Sequence, residues 1–228
     1  MERKKLTITI QQGENVSAVL TLPPDKKKHY RAGVIVAHGA GNDMEHEMLV
    51  DFSDGLARAG YPSLRFNFPY KEKGLKAPDG QKKLEATWGA VFLHFQTDMP
   101  FQVDHVIASG KSMGGRVASQ MAAEKQLPAD GLIFLGYPLH PAGDLTKTRD
   151  AHLYRLDVPL LFFAGTKDAL CDMILFRKVL KNLSAPWQLD VIEGGDHSFH
   201  VPKSLGIRQS AIHDRIVKTS GAWLDGQF

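Results

Sequence analysis

Short apolar runs without polar alternation constrain the fold of this chain more than any other feature. Residues 33–37 form one such run, which stops abruptly at His38-Gly39-Ala40-Gly41. A strand whose two faces are both covered by helices has this pattern, because neither face meets water. Helix-like segments separate the successive runs. The pattern therefore predicts a parallel sheet between two helical layers.

The complete pattern predicts eight strands and five helices. Two strands with polar and apolar residues in alternation, 6–10 and 16–22, are expected to pair as an antiparallel hairpin around Gln11-Gln12-Gly13-Glu14. The other strands are 33–37, 62–66, 103–108, 131–135, 159–164 and 187–192, and the helices are 45–59, 84–96, 114–124, 171–182 and 205–224, with a polar loop over 67–81. This alternation indicates a doubly wound, mostly parallel eight-stranded α/β sheet with helices on both faces, which binds ligands beyond the carboxyl ends of its strands.

Length and composition fit one globular domain. The chain has 228 residues, of which 43% are hydrophobic and 23% charged, and no Pro-, Gly- or Ser-rich linker divides it. We therefore expect a single domain over residues 1–228. The net charge of +3 comes from short separate clusters such as Arg3-Lys4-Lys5 rather than from one basic face. No nucleic-acid partner is expected from such a distribution.

Cysteine usage and hydropathy predict the compartment. The one cysteine, Cys171, cannot form an intramolecular disulfide, and the N-terminus lacks the apolar stretch of a signal peptide. No apolar run approaches the roughly 18 residues that cross a bilayer. We therefore expect a cytoplasmic protein without a membrane partner, as a monomer or homodimer.

A Gly-x-Ser-x-Gly pattern, formed by Gly110, Ser112 and Gly114, directly follows the predicted strand 103–108 and precedes a predicted helix. A serine on such a sharp turn has a strained backbone, and small residues two positions away let the neighbouring chain pass without a clash. The hydroxyl then projects above the sheet as a nucleophile. A phosphate loop is disfavoured because His105 stands where its first glycine is required.

Asp168 and His197 each follow a later predicted strand. The carboxyl ends of parallel strands meet at one edge, so both side chains are expected to converge on Ser112 there. The chain order Ser112, Asp168, His197 is the order found when a nucleophile lies on a strand-to-helix turn of such a sheet. A histidine takes the proton of the serine, and a carboxylate orients the histidine. Alternatively, Asp168 caps the next helix, which leaves Asp172 as the reserve acid.

Acyl transfer also requires N–H donors for the negative charge that develops on the carbonyl oxygen. The backbone N–H of Met113, directly after the serine, is one expected donor. The second is expected from the loop after the strand 33–37. Ala40 is the first choice in that loop, and Gly39 is the second.

These segments resemble the motifs of the α/β-hydrolase superfamily. The resemblance places its oxyanion, nucleophile, acid and base motifs at His38-Gly39-Ala40-Gly41, Gly110-Lys111-Ser112-Met113-Gly114-Gly115, Gly165-Thr166-Lys167-Asp168 and Gly194-Gly195-Asp196-His197-Ser198. More narrowly, the chain resembles the small dienelactone-hydrolase-like branch, and it is similar to a group that includes the hydrolase-like subunit of a chromatin acetyltransferase complex. Dienelactone hydrolases proper have a cysteine in place of Ser112, so their lactone substrate is not implied.

The same resemblance predicts an open site. Many members of the superfamily carry a lid after the sixth strand, whereas only residues 136–158 are available for one here. Four residues that follow strand ends are expected to line a modest apolar pocket: Phe68, Tyr70, Tyr137 and Leu139.

The sequence thus predicts a serine hydrolase that cleaves an ester or thioester of a small acyl substrate, through an acyl-enzyme and without a cofactor or metal. The alternative is a non-catalytic scaffold or binding subunit that retains the fold. A metal hydrolase is a third hypothesis because the chain has ten histidines. It is disfavoured, because no His-Glu-x-x-His spacing exists and His46, Glu45 and Glu47 diverge on a predicted helix.

Overall fold

The computed structural model describes residues 1–10 and 13–228, and within these it contains a mixed eight-stranded sheet. The strands are β1 Glu2–Thr9, β2 Asn15–Leu22, β3 His29–Ala37, β4 Ser63–Phe66, β5 Gln102–Lys111, β6 Gly131–Leu135, β7 Leu160–Gly165 and β8 Trp187–Ile192. Their spatial order is β1-β2-β4-β3-β5-β6-β7-β8. β2 runs antiparallel to β1 and to β4, and the other neighbours are parallel. The predicted sheet is confirmed.

Helices cover both faces of the sheet. They are α1 Glu47–Arg58, α2 Pro69–Glu72, α3 Gln81–Thr97, α4 Met113–Ala123, α5 Met173–Lys181 and α6 Gln209–Gln227. The apolar residues of α1 and α6 pack on one face, and those of α3, α4 and α5 pack on the other. In the part of the chain that is described, no helix combines the length and the apolar character needed to cross a membrane.

The apolar runs form the centre of this sandwich. Val34 and Ile35 of β3 are adjacent in sequence, are both 0% exposed and belong to opposite core layers, as expected for a strand with two covered faces. Burying one such side chain contributes about 1.5–3 kcal/mol. Gly55 of α1 lets α6 approach closely, because a Cβ there would lie 2.4 Å from the Cγ2 atom of Val217.

Predicted and observed elements differ by a few residues at several boundaries. The last helix begins at Gln209 rather than at residue 205, because Gly206 has a left-handed backbone (φ 64°) that ends the short 3₁₀ turn Lys203–Leu205. The predicted polar loop 67–81 contains α2, which starts at Pro69, a residue favoured in the first turn of a helix. Of the predicted hairpin connection, Gln11 and Gln12 lie outside the described residues.

Candidate active site

The carboxyl edge of the sheet brings together the side chains that follow β5, β7 and β8. The Oγ of Ser112 lies 2.8 Å from Nε2 of His197, and Nδ1 of His197 lies 2.7 Å from Oδ2 of Asp168. A carboxylate can only accept, so Nδ1 carries the proton and Nε2 accepts from the serine hydroxyl. The three groups thus form one continuous chain of hydrogen bonds.

The backbone at Ser112 has the strain expected of a sharp strand-to-helix turn. Its φ is 49° and its ψ is −112°, values that side-chain-bearing residues rarely adopt. The glycines on either side allow close backbone contacts. A Cβ at Gly110 would lie 2.4 Å from the N of Gly115, and one at Gly114 would lie 2.7 Å from the carbonyl oxygen of His38. The turn therefore requires glycine at both positions.

The acid loop and the histidine loop meet at another glycine. A Cβ at Gly165 would lie 2.1 Å from the carbonyl oxygen of Gly195, so only glycine permits this approach. The side chain of Asp168 is fully buried, and its Oδ1 accepts the backbone N–H of Leu170 at 2.8 Å. Both carboxylate oxygens are therefore engaged, one by the backbone and one by His197.

The next helix is capped by Asp172 and not by Asp168. Asp172 is the N-cap of α5, where its Oδ1 accepts the backbone N–H of Leu175 at 2.8 Å. The reserve acid therefore caps the helix, and Asp168 contacts the histidine. Asp196 is a turn residue, because its Oδ1 accepts the N–H groups of Ser198 and His200.

Lys111 lies beneath the histidine loop and is 2% exposed. Its Nζ donates to the backbone carbonyl of His197 and lies 5.8 Å from the centre of the Phe199 ring. Burial lowers the pKa of Lys111 to about 8, against the opposing attraction of Asp168 and Asp196. A buried ammonium thus fixes the backbone of the residue that contacts the serine.

The loop after β3 places Ala40 at the cleft. Ala40 and Met113 both line the cleft that contains Ser112, and Met113 is the first residue of α4, where backbone N–H groups lack helical partners. Gly39 is buried and does not line this cleft. The Tyr70 hydroxyl donates to the carbonyl oxygen of Ala40 at 3.0 Å and so fixes the loop.

His38 fixes the same loop through hydrogen bonds at both ring nitrogens. Its Nδ1 donates to the carbonyl oxygen of Gly39 at 2.8 Å, and its Nε2 accepts the backbone N–H of Phe68 at 3.0 Å. A neutral imidazole satisfies both partners, whereas a second proton would point at the N–H of Phe68. Burial lowers the pKa of His38 to about 4, so the ring is neutral near neutral pH.

The structure corrects the predicted substrate pocket. Phe68, Tyr70, Tyr137 and Leu139 are each at most 1% exposed and pack in the core instead of lining the cleft. Their position after strand ends does not specify a direction, and here their side chains turn inward. The actual cleft has a volume of about 340 Å³, and its walls are formed by Ala40, Pro78, Asp79, Gln81, Leu84, Ser112, Met113, Arg116, Pro138, Arg149 and Leu170.

Two arginines of this cleft, Arg116 and Arg149, were not predicted. Arg116 lies one helical turn after Ser112, and its backbone N–H donates to the carbonyl oxygen of that serine. This i, i+4 spacing is visible in the sequence and could have indicated it. Arg149 belongs to the irregular segment between β6 and β7, where no periodic pattern exists to place it.

Two other features lie outside the serine cleft. A cavity of about 580 Å³ adjoins β1 and β2, but none of the three hydrogen-bonded residues lines it. Among the described residues, Glu47, Asp51 and His213 form a group with metal-ligand chemistry, whose candidate ligand atoms lie within 4.8 Å of one another. In this group Nδ1 of His213 is already bonded to Asp51 at 2.7 Å.

A serine, histidine and aspartate that converge at the carboxyl edge of such a sheet define the class of α/β hydrolases. The family model described as "Alpha/beta hydrolase domain" matches residues 30–225. The chain belongs to this family, and its fold is esterase-like.

Solved structures share the architecture at low sequence identity. The esterase domain of a Rhodothermus marinus protein is 19% identical, with a TM-score of 0.71 over 98% of both chains. A serine hydrolase without a lid from Xanthomonas campestris is 20% identical, with a TM-score of 0.70 over 100% of this chain and 94% of the other. A dienelactone hydrolase from Anabaena variabilis is 17% identical, with a TM-score of 0.73 over 100% and 98%. These similarities establish the fold.

Proposed function

We propose that the protein is a serine hydrolase that cleaves an ester or thioester of a small acyl substrate. One observation carries the proposal: Ser112, His197 and Asp168 are joined by hydrogen bonds of 2.8 and 2.7 Å at the edge of a cleft. A serine hydroxyl becomes a nucleophile when a positioned base takes its proton, and this geometry supplies that base. The likeness to esterases and lidless serine hydrolases supports the same chemistry.

The reaction proceeds in two halves. Oγ of Ser112 attacks the acyl carbonyl carbon while Nε2 of His197 takes the hydroxyl proton, and the carbonyl electron pair moves onto oxygen. The N–H groups of Met113 and Ala40 stabilise that oxyanion. When the carbonyl re-forms, the alkoxide or thiolate leaves and takes the proton from His197. A water molecule then repeats the sequence on the acyl-serine and releases the acid.

Asp168 has a separate role in this mechanism. Its buried carboxylate holds the imidazole in the tautomer that accepts at Nε2 and stabilises the imidazolium that forms during attack. The carboxylate itself stays ionised throughout. The side chain of His197 is 23% exposed, so the base is accessible to the water that hydrolyses the acyl-enzyme.

The test is the substitution Ser112→Ala, assayed on an activated ester and with a fluorophosphonate probe. Because the three residues act as a unit, turnover is expected to fall by about six decades, and the probe is expected to stop labelling the protein. Ser109→Ala is the matched control, since this buried β5 hydroxyl has no partner among the described residues. The control is expected to keep full labelling. Undiminished turnover by Ser112→Ala would refute the mechanism, and a folded wild-type protein that the probe does not label would favour the scaffold alternative.

A further inference from the structure

The cleft beside Ser112 contains two guanidinium groups without a carboxylate partner. Only three arginines of the described chain are not exposed: Arg65, Arg116 and Arg149. Arg65 pairs with Glu45 at 3.1 Å, as a buried charge normally requires. In the described part of the molecule, neither Arg116 nor Arg149 lies within salt-bridge distance of an acid.

The existing contacts of both arginines are neutral and leave donors free. Arg116 donates from one terminal nitrogen to Oε1 of Gln120 at 3.1 Å, and Arg149 donates from one to the carbonyl oxygen of Pro138 at 3.2 Å. A guanidinium has five N–H donors in a rigid fork, so most donors of each group remain available. The pKa of Arg116 is lowered, chiefly by burial and in part by the positive charge of Arg149.

The one acid that lines the cleft does not neutralise these charges. Oδ2 of Asp79 accepts the backbone N–H of Tyr70 at 2.8 Å, and its Oδ1 lies 3.8 Å from Nζ of Lys83. Asp79 is thus held by a backbone N–H, and it lies near a lysine that pairs more closely with Glu14, whose Oε2 is 2.6 Å from the same Nζ. The cleft keeps two guanidinium groups without an acidic partner among the described residues, and Leu84, Met113 and Leu170 contribute apolar lining.

We infer that the Arg116–Arg149 pair binds an anionic group of the substrate, so that the preferred substrates are esters or thioesters that carry a carboxylate a few bonds from the scissile carbonyl. This inference rests on the proposed function and adds its substrate class. A carboxylate matches the planar fork of a guanidinium in two-point contact, and each charge-assisted bond contributes about 1.5–3 kcal/mol. That energy corresponds to roughly a ten- to hundredfold preference for each arginine.

The experiment compares a charged ester with its uncharged twin. The para-nitrophenyl monoester of adipic acid carries the carboxylate on the acyl side, and its methyl ester is the neutral match. The butyryl ester of para-hydroxybenzoate carries the carboxylate on the leaving group. Its neutral match is the same compound with that carboxylate converted to a methyl ester. In one of the two pairs, wild type is expected to show a kcat/KM at least tenfold higher for the charged member. That pair identifies the side of the substrate that the arginines hold.

Arg149→Gln and Arg116→Gln are each expected to lower the charged-to-neutral ratio of kcat/KM at least tenfold, and Arg149→Lys to restore part of it. Added salt is expected to lower the ratio in wild type as well. The matched control is Arg177→Gln, an exposed arginine of α5, which is expected to keep the wild-type ratio. A wild-type ratio at or below one in both pairs would overturn the inference, as would ratios that neither glutamine variant changes. Turnover of the neutral esters tests the proposed function separately. A failure of the proposed function can therefore be distinguished from a failure of this inference.

Discussion

Two histidine–aspartate pairs in this molecule have the same short contact from Nδ1 to a carboxylate but different surroundings. Nδ1 of His197 lies 2.7 Å from Asp168, and Nδ1 of His213 lies 2.7 Å from Asp51. Beyond Nε2, however, His197 meets the hydroxyl of Ser112, whereas His213 meets the side-chain amide of Gln209 at 3.1 Å. Only the first pair has a group that can become a nucleophile.

The carboxylates of the two pairs also differ in burial. The side chain of Asp168 is 0% exposed, and that of Asp51 is 43% exposed. Water and salt screen the exposed carboxylate of Asp51, although the imidazole of His213 is itself buried. Asp168, by contrast, is shielded and held by a backbone N–H. The comparison teaches that the imidazole–carboxylate distance alone does not identify a catalytic pair, whereas the partner at Nε2 and the burial of the acid do.

The most direct test of whether the two pairs differ in function is to remove the charge from each carboxylate in turn. Asp168→Asn is expected to lower kcat by about ten-thousand-fold, since an amide favours the wrong imidazole tautomer. Asp51→Asn, the matched control, is expected to keep the rate within about twofold, as expected of a pair away from the reacting atoms. Steady-state kinetics on one activated ester measures both. Equal losses in the two variants would show that the pairs are functionally alike.

A second test concerns His38, whose Nδ1 donates to a carbonyl instead of a carboxylate. Its pKa falls from 6.5 to about 4 on folding, so the unfolded chain binds the extra proton first as the pH drops. The contribution of the neutral imidazole to the free energy of unfolding is complete above about pH 6.5. It is lost as the pH falls through about 4, a change of about 3 kcal/mol.

Urea unfolding of the wild type and of His38→Asn between about pH 7 and 4 measures this contribution. The variant is expected to be less stable near pH 7 and to lose less stability on acidification. His29→Asn, at an exposed histidine that pairs with Asp104, removes an imidazole without altering the loop of His38 and serves as the control. The assignment fails if His38→Asn retains the full acid sensitivity.

The smallest expected effect concerns the lysine that holds the backbone of His197. Lys111→Met keeps the buried stem but removes the ammonium that donates to the backbone carbonyl of His197. Because the imidazole is then less well positioned, kcat is expected to fall about ten- to hundredfold. The pKa of Lys111 is about 8, so the wild-type rate is expected to decline as the pH rises through that value while the variant lacks this decline. Lys125→Met, at an exposed lysine, is the control. An identical alkaline profile in Lys111→Met would exclude this role.

The positions of Ser112, Asp168 and His197 were predictable because each follows a regular strand. Apolar runs define the ends of β5, β7 and β8 within a few residues, and parallel strands place those ends at one edge. The glycines at 110 and 114 additionally marked the turn. The residues that mark the three positions are therefore local in the sequence. The prediction that their side chains meet came from the topology of the parallel sheet.

The lining of the cleft was not predictable in the same way. Tyr70 follows a strand end, yet α2 turns it inward, where its hydroxyl bonds to the loop of Ala40. Arg149 lies in an irregular segment whose path depends on tertiary contacts, such as its backbone N–H to the carbonyl oxygen of Leu139 at 2.8 Å. Side-chain direction in such segments is decided by packing and has no periodic signature.

Cys171 gives the molecule an internal reporter. The thiol is 1% exposed, its pKa is raised by burial, and its backbone N–H donates to the carbonyl oxygen of Asp168. A thiol in this state reacts with alkylating reagents only when the surrounding segment opens. As the single cysteine of the chain, it makes the rate of alkylation a measure of how often the segment that contains Asp168 opens.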